Sequence, residues 1–181
     1  AITLTESIAL STGTGGGDIL LGSTLDADDI EALTLLAGSG NITVTGPVGG
    51  TNRLGDLIVT SGTNVTFTGS VTATSFTQES GTGVTLFEDT QDYTGNFGFT
   101  GNILTLNEAL TAGGSMRVTN AELFTTSSTA TIDVTGSFAQ DGDGSNSLGA
   151  DITTSGAAIS FDRAITLTES IALSTGTGGG D

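Results

Sequence analysis

Along most of the chain, apolar residues alternate with threonine and other small polar residues for a few positions and then break at Gly, Ser, Asn or Asp. The opening segment states the rule: Ile2 and Leu4 alternate with Thr3 and Thr5, Glu6-Ser7 interrupts, and Ile8 resumes. A period of two sends successive side chains to opposite faces, so each segment is expected to be a short strand with one buried face, followed by a bend. The apolar spacing i, i+2, i+6 recurs at Ile19-Leu21-Leu25, Ile42-Val44-Val48, Val65-Phe67-Val71, Leu104-Leu106-Leu110, Ile132-Val134-Phe138 and Ile159-Phe161-Ile165. The best-matched members start at positions 19, 42, 65, 132 and 159; the first two steps are equal, and the third is close to three such steps. This regularity reads as a unit of about 23 residues.

A longer repeat lies over this one. Ala1 to Asp18, AITLTESIALSTGTGGGD, returns letter for letter as Ala164 to Asp181. Residues 1–163 are therefore read as one full tandem repeat and residues 164–181 as the start of the next. The stretch 1–163 divides into about seven of the shorter units. A unit holding two or three short strands with turn residues between them cannot bury its apolar face alone, but stacked units can. The expected fold is all-β, a parallel β-solenoid of about seven coils per period, with coil one and coil eight superposable. Residues 1 and 181 read as positions inside a longer array.

Two stretches resist the alternation. Ser23 to Leu36 could be a short helix capped at Thr24, but Thr34 between Leu33 and Leu35 favours an acidic loop leading into a strand, Ala32 to Leu36. In Thr77 to Asn96 the charges Glu79, Glu88, Asp89 and Asp92 suggest a longer loop or an irregular coil.

Composition supports ordered β-structure over a disordered tract. Apolar content is 35%, but the many Thr residues alternate with Ile, Val, Leu and Phe, and there is one Pro. Twenty Asp and Glu face three Arg, with no His or Lys, for a net charge of −17. That balance repels phosphate backbones and anionic lipid, so nucleic-acid binding and membrane insertion are not expected. The absence of Cys excludes disulfides and thiolate metal sites. The eight Phe are expected to stack in the core as ladders between coils.

Three stretches resemble the repeats of filamentous haemagglutinin-type secreted surface proteins: Gly40 to Gly69 (GNITVTGPVGGTNRLGDLIVTSGTNVTFTG), Thr100 to Phe124, and the junction around Arg163. The resemblance implies a right-handed parallel β-helix, an extracellular or cell-surface location, and a role as the shaft of a bacterial fibre or adhesin. Its partners would be copies of itself end to end in a long chain or filament, and cell-surface glycans.

Candidate chemistry is sparse. In AQDGDGSNSLGAD, the residues Asp141, Asp143, Asn146 and Asp151 set oxygen ligands around glycine-permitted turns, the donor type that calcium takes. No Glu closes the loop, and a solvated turn is the competing reading. Asp26, Asp28, Asp29 and Glu31 form a second acidic cluster with the same two readings. A polysaccharide-acting enzyme would need a positioned carboxylate pair, and Glu88/Asp89 and Asp28/Asp29 exist. In so acidic a chain such pairs arise without catalysis, and no His, Lys or Cys is present to assist, so no enzyme is expected and no cofactor beyond calcium. Thr pairs such as Thr43/Thr45 and Thr66/Thr68 could order water on a flat face, although Thr is also a common outward strand residue. The expected function is structural, a shaft segment. The alternative is an adhesin segment binding carbohydrate or a partner surface, for which Thr77 to Asn96 is the candidate insertion.

Overall fold

A computed structural model describes residues 1–178. All its strand pairs are parallel, and they stack as a three-sided β-solenoid. Apart from a 3-10 turn at Gly176–Gly178, the described residues contain no helix. The end of the second copy, residues 179–181, lies outside the described residues.

Each face is a column of residues that are neighbours across coils. On the first face the column runs through Ile2, Leu25, Val48, Val71, Gln91, Leu110, Ile132, Ile152 and Leu173. The second face stacks Ile8, Leu33, Leu57, Phe76, Phe97, Met116, Phe138 and Ile159. On the third, Ile19, Ile42, Val65, Thr85, Leu104, Phe124, Asn146 and Ile165 stand in register. Counting each coil from its first-face strand, the chain makes about eight turns. The three steps from Ile2 to Val71 are equal, and each is longer than any of the later steps.

The expectation of a β-solenoid holds, with more and shorter coils than the sequence spacing suggests. The reason is local. In Ile19-Leu21-Leu25 the first two residues lie on the third face and the last on the first, with 22–24 forming the corner between them. The spacing i, i+2, i+6 is therefore two inward side chains, a short corner, and the next inward side chain. It marks any corner of the prism. Ile132 belongs to the first face and Ile159 to the second, so steps to them from the third-face members mix corners with coils.

The same counting moves the second copy. Ile2–Leu4 lies on the first face and Ile8–Ser11 on the second. In the copy, Ile165–Leu167 stacks on Asn146 to Leu148 of the third face, and Leu173–Ser174 on Ile152 and Thr153 of the first. Coils one and eight are therefore not superposable. From Ile2 to Ile165 the chain makes seven and two-thirds turns, leaving the copy one face out of phase.

Both irregular stretches are ordinary coils. Strands Leu25–Ala27 and Leu33–Leu36 occupy the first, with Asp26 outward, and the strand predicted from Ala32 begins at Leu33. In the second, Val84–Phe87 and Gln91–Tyr93 pair with coils on both sides. The acidic residues there stand at corners or point outward, where the alternation tolerates them.

The core is one apolar column, with Leu35, Ile42, Val59, Val71, Phe76 and Leu104 fully buried. Phe67 stacks on Phe87 at 5.0 Å and Phe76 on Phe97 at 5.0 Å, and the two ladders meet edge to face. Toward the later coils the column admits polar side chains, each hydrogen-bonded inside. Thr85 Oγ1 donates to Gln78 Oε1 at 2.9 Å, Tyr93 Oη to Gln91 Oε1 at 2.7 Å, and Gln140 Nε2 to Asn120 Oδ1 at 2.8 Å. Burial, and then the Asp92 charge, pushes the Tyr93 phenol well above its ordinary pKa, so it stays a neutral donor.

Candidate functional site

The corner between the second and third faces gathers Asp141 and Asp143 with their arginine partners, Arg117 and Arg163. Over coils four to seven it forms a groove of about 380 Å³ lined by Ser80, Gly81, Thr100, Gly101, Asn102, Thr119, Asn120, Ala121, Asp141, Gly142 and Asp143. The segment Asp141-Gly142-Asp143-Gly144 lies flat on the coil beneath. A Cβ at Gly142 would stand 2.1 Å from Asn120 O, and one at Gly144 2.2 Å from Glu122 O. The glycines permit the close approach of two backbones, and the aspartates that alternate with them project outward.

Each projecting carboxylate meets an arginine from a neighbouring coil. Arg117 Nε donates to Asp141 Oδ2 at 2.6 Å and Thr119 Oγ1 donates to Asp141 Oδ1 at 2.6 Å, both from the coil below. Asp143 pairs with Arg163 of the coil above. At the corner between the first and second faces, Arg53 Nη2 reaches Asp92 Oδ2 at 2.5 Å, and its Nη1 donates to Ala73 O and Asp92 O at 2.7 Å. All three arginines are thus clamps between coils. A fourth clamp is neutral at its upper end: Asp18 Oδ1 accepts from Asn41 N and Nδ2 at 2.7 and 3.1 Å, and Asn41 Oδ1 accepts from Asn64 N and Nδ2 at 3.2 and 3.0 Å.

The four residues singled out as calcium ligands divide among three places. Asp141 and Asp143 share the corner, each held by its own arginine. Asn146 points inward, its Nδ2 donating to Gln140 Oε1 at 3.1 Å and Ala164 O at 3.3 Å. Asp151 stands at the corner between the third and first faces, where its Oδ1 accepts from Ala172 N at 2.7 Å. In the other cluster, Asp26 Oδ1 accepts from Thr51 N at 2.7 Å and Glu31 Oε2 from Asp29 N at 2.9 Å. Among the described residues no three of His, Cys, Asp and Glu are grouped closely enough to hold a metal ion.

Partial burial pushes the Asp141 carboxyl up, but hydrogen bonds from Arg117 and Thr119 and the Arg117 charge outweigh it and hold the pKa below the usual carboxylate value. A carboxylate with a depressed folded pKa stabilises the fold above its unfolded pKa, and that contribution is lost as pH falls through the folded pKa. Asp141→Asn is therefore expected to lower Tm by about 1–3 °C at neutral pH, as a partly exposed pair does. The gap to the parent should close as pH drops below the ordinary carboxylate range. Melting curves in parallel from neutral to strongly acid pH check this, and a gap that widens in acid contradicts it.

Sequence reasoning missed the arginine clamps, since each Arg is isolated along the chain and finds its partner only through stacking. The Asp18, Asn41 and Asn64 clamp did leave a signal, because its three members are equally spaced along the chain. A second groove of about 460 Å³ runs along the first face, lined by Asp92, Thr94, Thr111, Asp133, Thr135, Thr153 and their neighbours. Both grooves are open troughs that cross several stacked coils. No protein-family model, curated protein or solved structure matches this chain.

Proposed function

We propose that this chain is a structural tandem-repeat segment, part of the shaft of an extracellular or cell-surface bacterial fibre of the filamentous haemagglutinin type. The observation that carries the reading is continuity: from Leu25 to Ile152 the first-face column passes from coil to coil without an inserted loop. Stability in such a stack comes from nearest-neighbour coils, so it extends by adding coils. The side-chain chemistry serves the same end, because the arginines and the Asn clamp tie one coil to the next. Thr77 to Asn96, the stretch that a lateral binding insertion would have used, is a regular coil.

Adhesion to carbohydrate is the second reading, favoured by the groove lined with Ser80, Thr100, Asn102, Thr119 and Asp141, whose polar groups suit sugar hydroxyls. Deleting one period, positions 1–163, from the parent chain separates the two. The shaft reading expects a fibre shorter by about 37 Å, at about 4.8 Å per coil, with unchanged binding on a glycan array. Glycan binding that falls with each period removed overturns it in favour of the adhesin.

A further inference from the structure

The second copy repeats the sequence of Ile2–Leu4 and Ile8–Ser11 but places it on different faces. Copy one puts these strands on the first and second faces. The copy puts Ile165–Leu167 on the third face and Leu173–Ser174 on the first. One sequence is thus accepted by different sides of the prism. The local rule explains why. Most strands ask for the same thing, two inward apolar residues followed by a bend, and a corner of the same length recurs between different pairs of faces. It spans 22–24 and 45–47 between the third and first faces, and 94–96 between the first and second. Most core contacts are generic aliphatic and aromatic packing, and the buried polar side chains occur on all three faces, Gln91 on the first, Gln140 on the second and Asn146 on the third, so neither distinguishes one side from another.

Resting on the tandem-array reading above, we infer that each period advances the solenoid by seven and two-thirds turns, so that successive periods present their corresponding faces a third of a turn apart. Three periods are then needed before a given face looks the same way again. The faces differ in character, which gives the rotation a consequence. The outward row of the third face runs through Leu20, Thr43, Thr66, Leu86, Thr105 and Thr125 and carries no charge, whereas that of the first face includes Asp26, Asp92 and Asp133. In a shaft as acidic as this one, with a net charge of −17, this uncharged face of threonine and leucine is a side on which a neighbouring shaft meets less repulsion than on the first face. Rotation places that side on all three flanks in turn. The partner it fits is another copy of the shaft, approached from any of three directions rather than along one continuous seam.

The chain has no cysteine, so disulfide mapping tests the phase directly. Ser147 and Thr166 are register partners in the out-of-phase arrangement, whereas a coil as long as the one from Thr3 to Asp26 would stack Thr166 on Asp143. The double variant Ser147→Cys/Thr166→Cys is expected to give at least tenfold more bridged product under mild oxidation than Asp143→Cys/Thr166→Cys. The reverse preference, or no bridge in either, overturns the inference. In a chain of three successive periods, a gold label on one third-face cysteine per period should appear at three azimuths a third of a turn apart. Labels in a single line along one side overturn it. A parent chain that does not continue past the copy as Ile-Leu-Leu-Gly removes the tandem array itself and leaves the disulfide result standing.

Discussion

Phe76→Ala is expected to lower the unfolding free energy by about 3–5 kcal/mol, the range for removing a buried aromatic side chain. Phe76 is fully buried and sits at the crossing of the two aromatic ladders. Its ring stacks on Phe97 at 5.0 Å and meets Phe67 and Phe87 edge to face at 6.1 and 5.2 Å. Alanine leaves a cavity bounded by Phe67 and Phe87, which stack on each other, and by Phe97, which meets Phe87 edge to face, so little can collapse into it. For a chain of this size the loss corresponds to roughly 6–20 °C in Tm. Because coils depend on their neighbours, the damage at coil four should also split the melting curve into two steps. Thermal melting followed by far-ultraviolet circular dichroism checks both, and a shift below about 2 °C contradicts the packing described here.

The second large effect is expected at Gly49. Its φ of +67° is in the left-handed region, and a Cβ built there would stand 2.0 Å from Thr72 O of the next coil. Gly49 N also donates to Leu25 O at 2.7 Å, and Thr72 N donates to Val48 O at 2.9 Å, so the residue is pinned between coils two and four. Gly49→Val adds backbone strain to a clash with main chain that cannot rotate away, a loss of roughly 3 kcal/mol or more. Gly50→Ala is the control. Its nearest neighbour would be Pro47 Cβ at 3.6 Å, an ordinary contact. A change within about 0.5 kcal/mol is expected there. Urea midpoints for the two variants test the contrast, and similar values would mean that the Gly49 turn is not the tight point of the stack.

Much of the fold was legible because its rule is local. Alternation of Ile, Val, Leu and Phe with Thr gives strands, and glycine, asparagine and serine give bends, so the solenoid follows from stacking. The coil count was not legible, since Ile132-Val134-Phe138 and Ile19-Leu21-Leu25 look alike in sequence while turning different corners. Charge misled at Thr77 to Asn96: Glu88, Asp89 and Asp92 break the pattern on the page but stand at a corner or point outward in space. The candidate site failed for a related reason. The closely spaced aspartates of Asp141-Gly142-Asp143 suggest a shared ligand. The partners that they take, Arg117 and Arg163, lie a whole coil away along the chain and become neighbours only when coils stack.

Imaging the native assembly by electron cryo-microscopy tests the central claim, that this chain is a length of shaft whose coils stack along the fibre axis. The account predicts a strand spacing of about 4.8 Å running parallel to the long axis of the filament, and an axial advance of about 37 Å per tandem period. Strand spacing across the axis, or coils gathered into separate globular beads on a string, would contradict it.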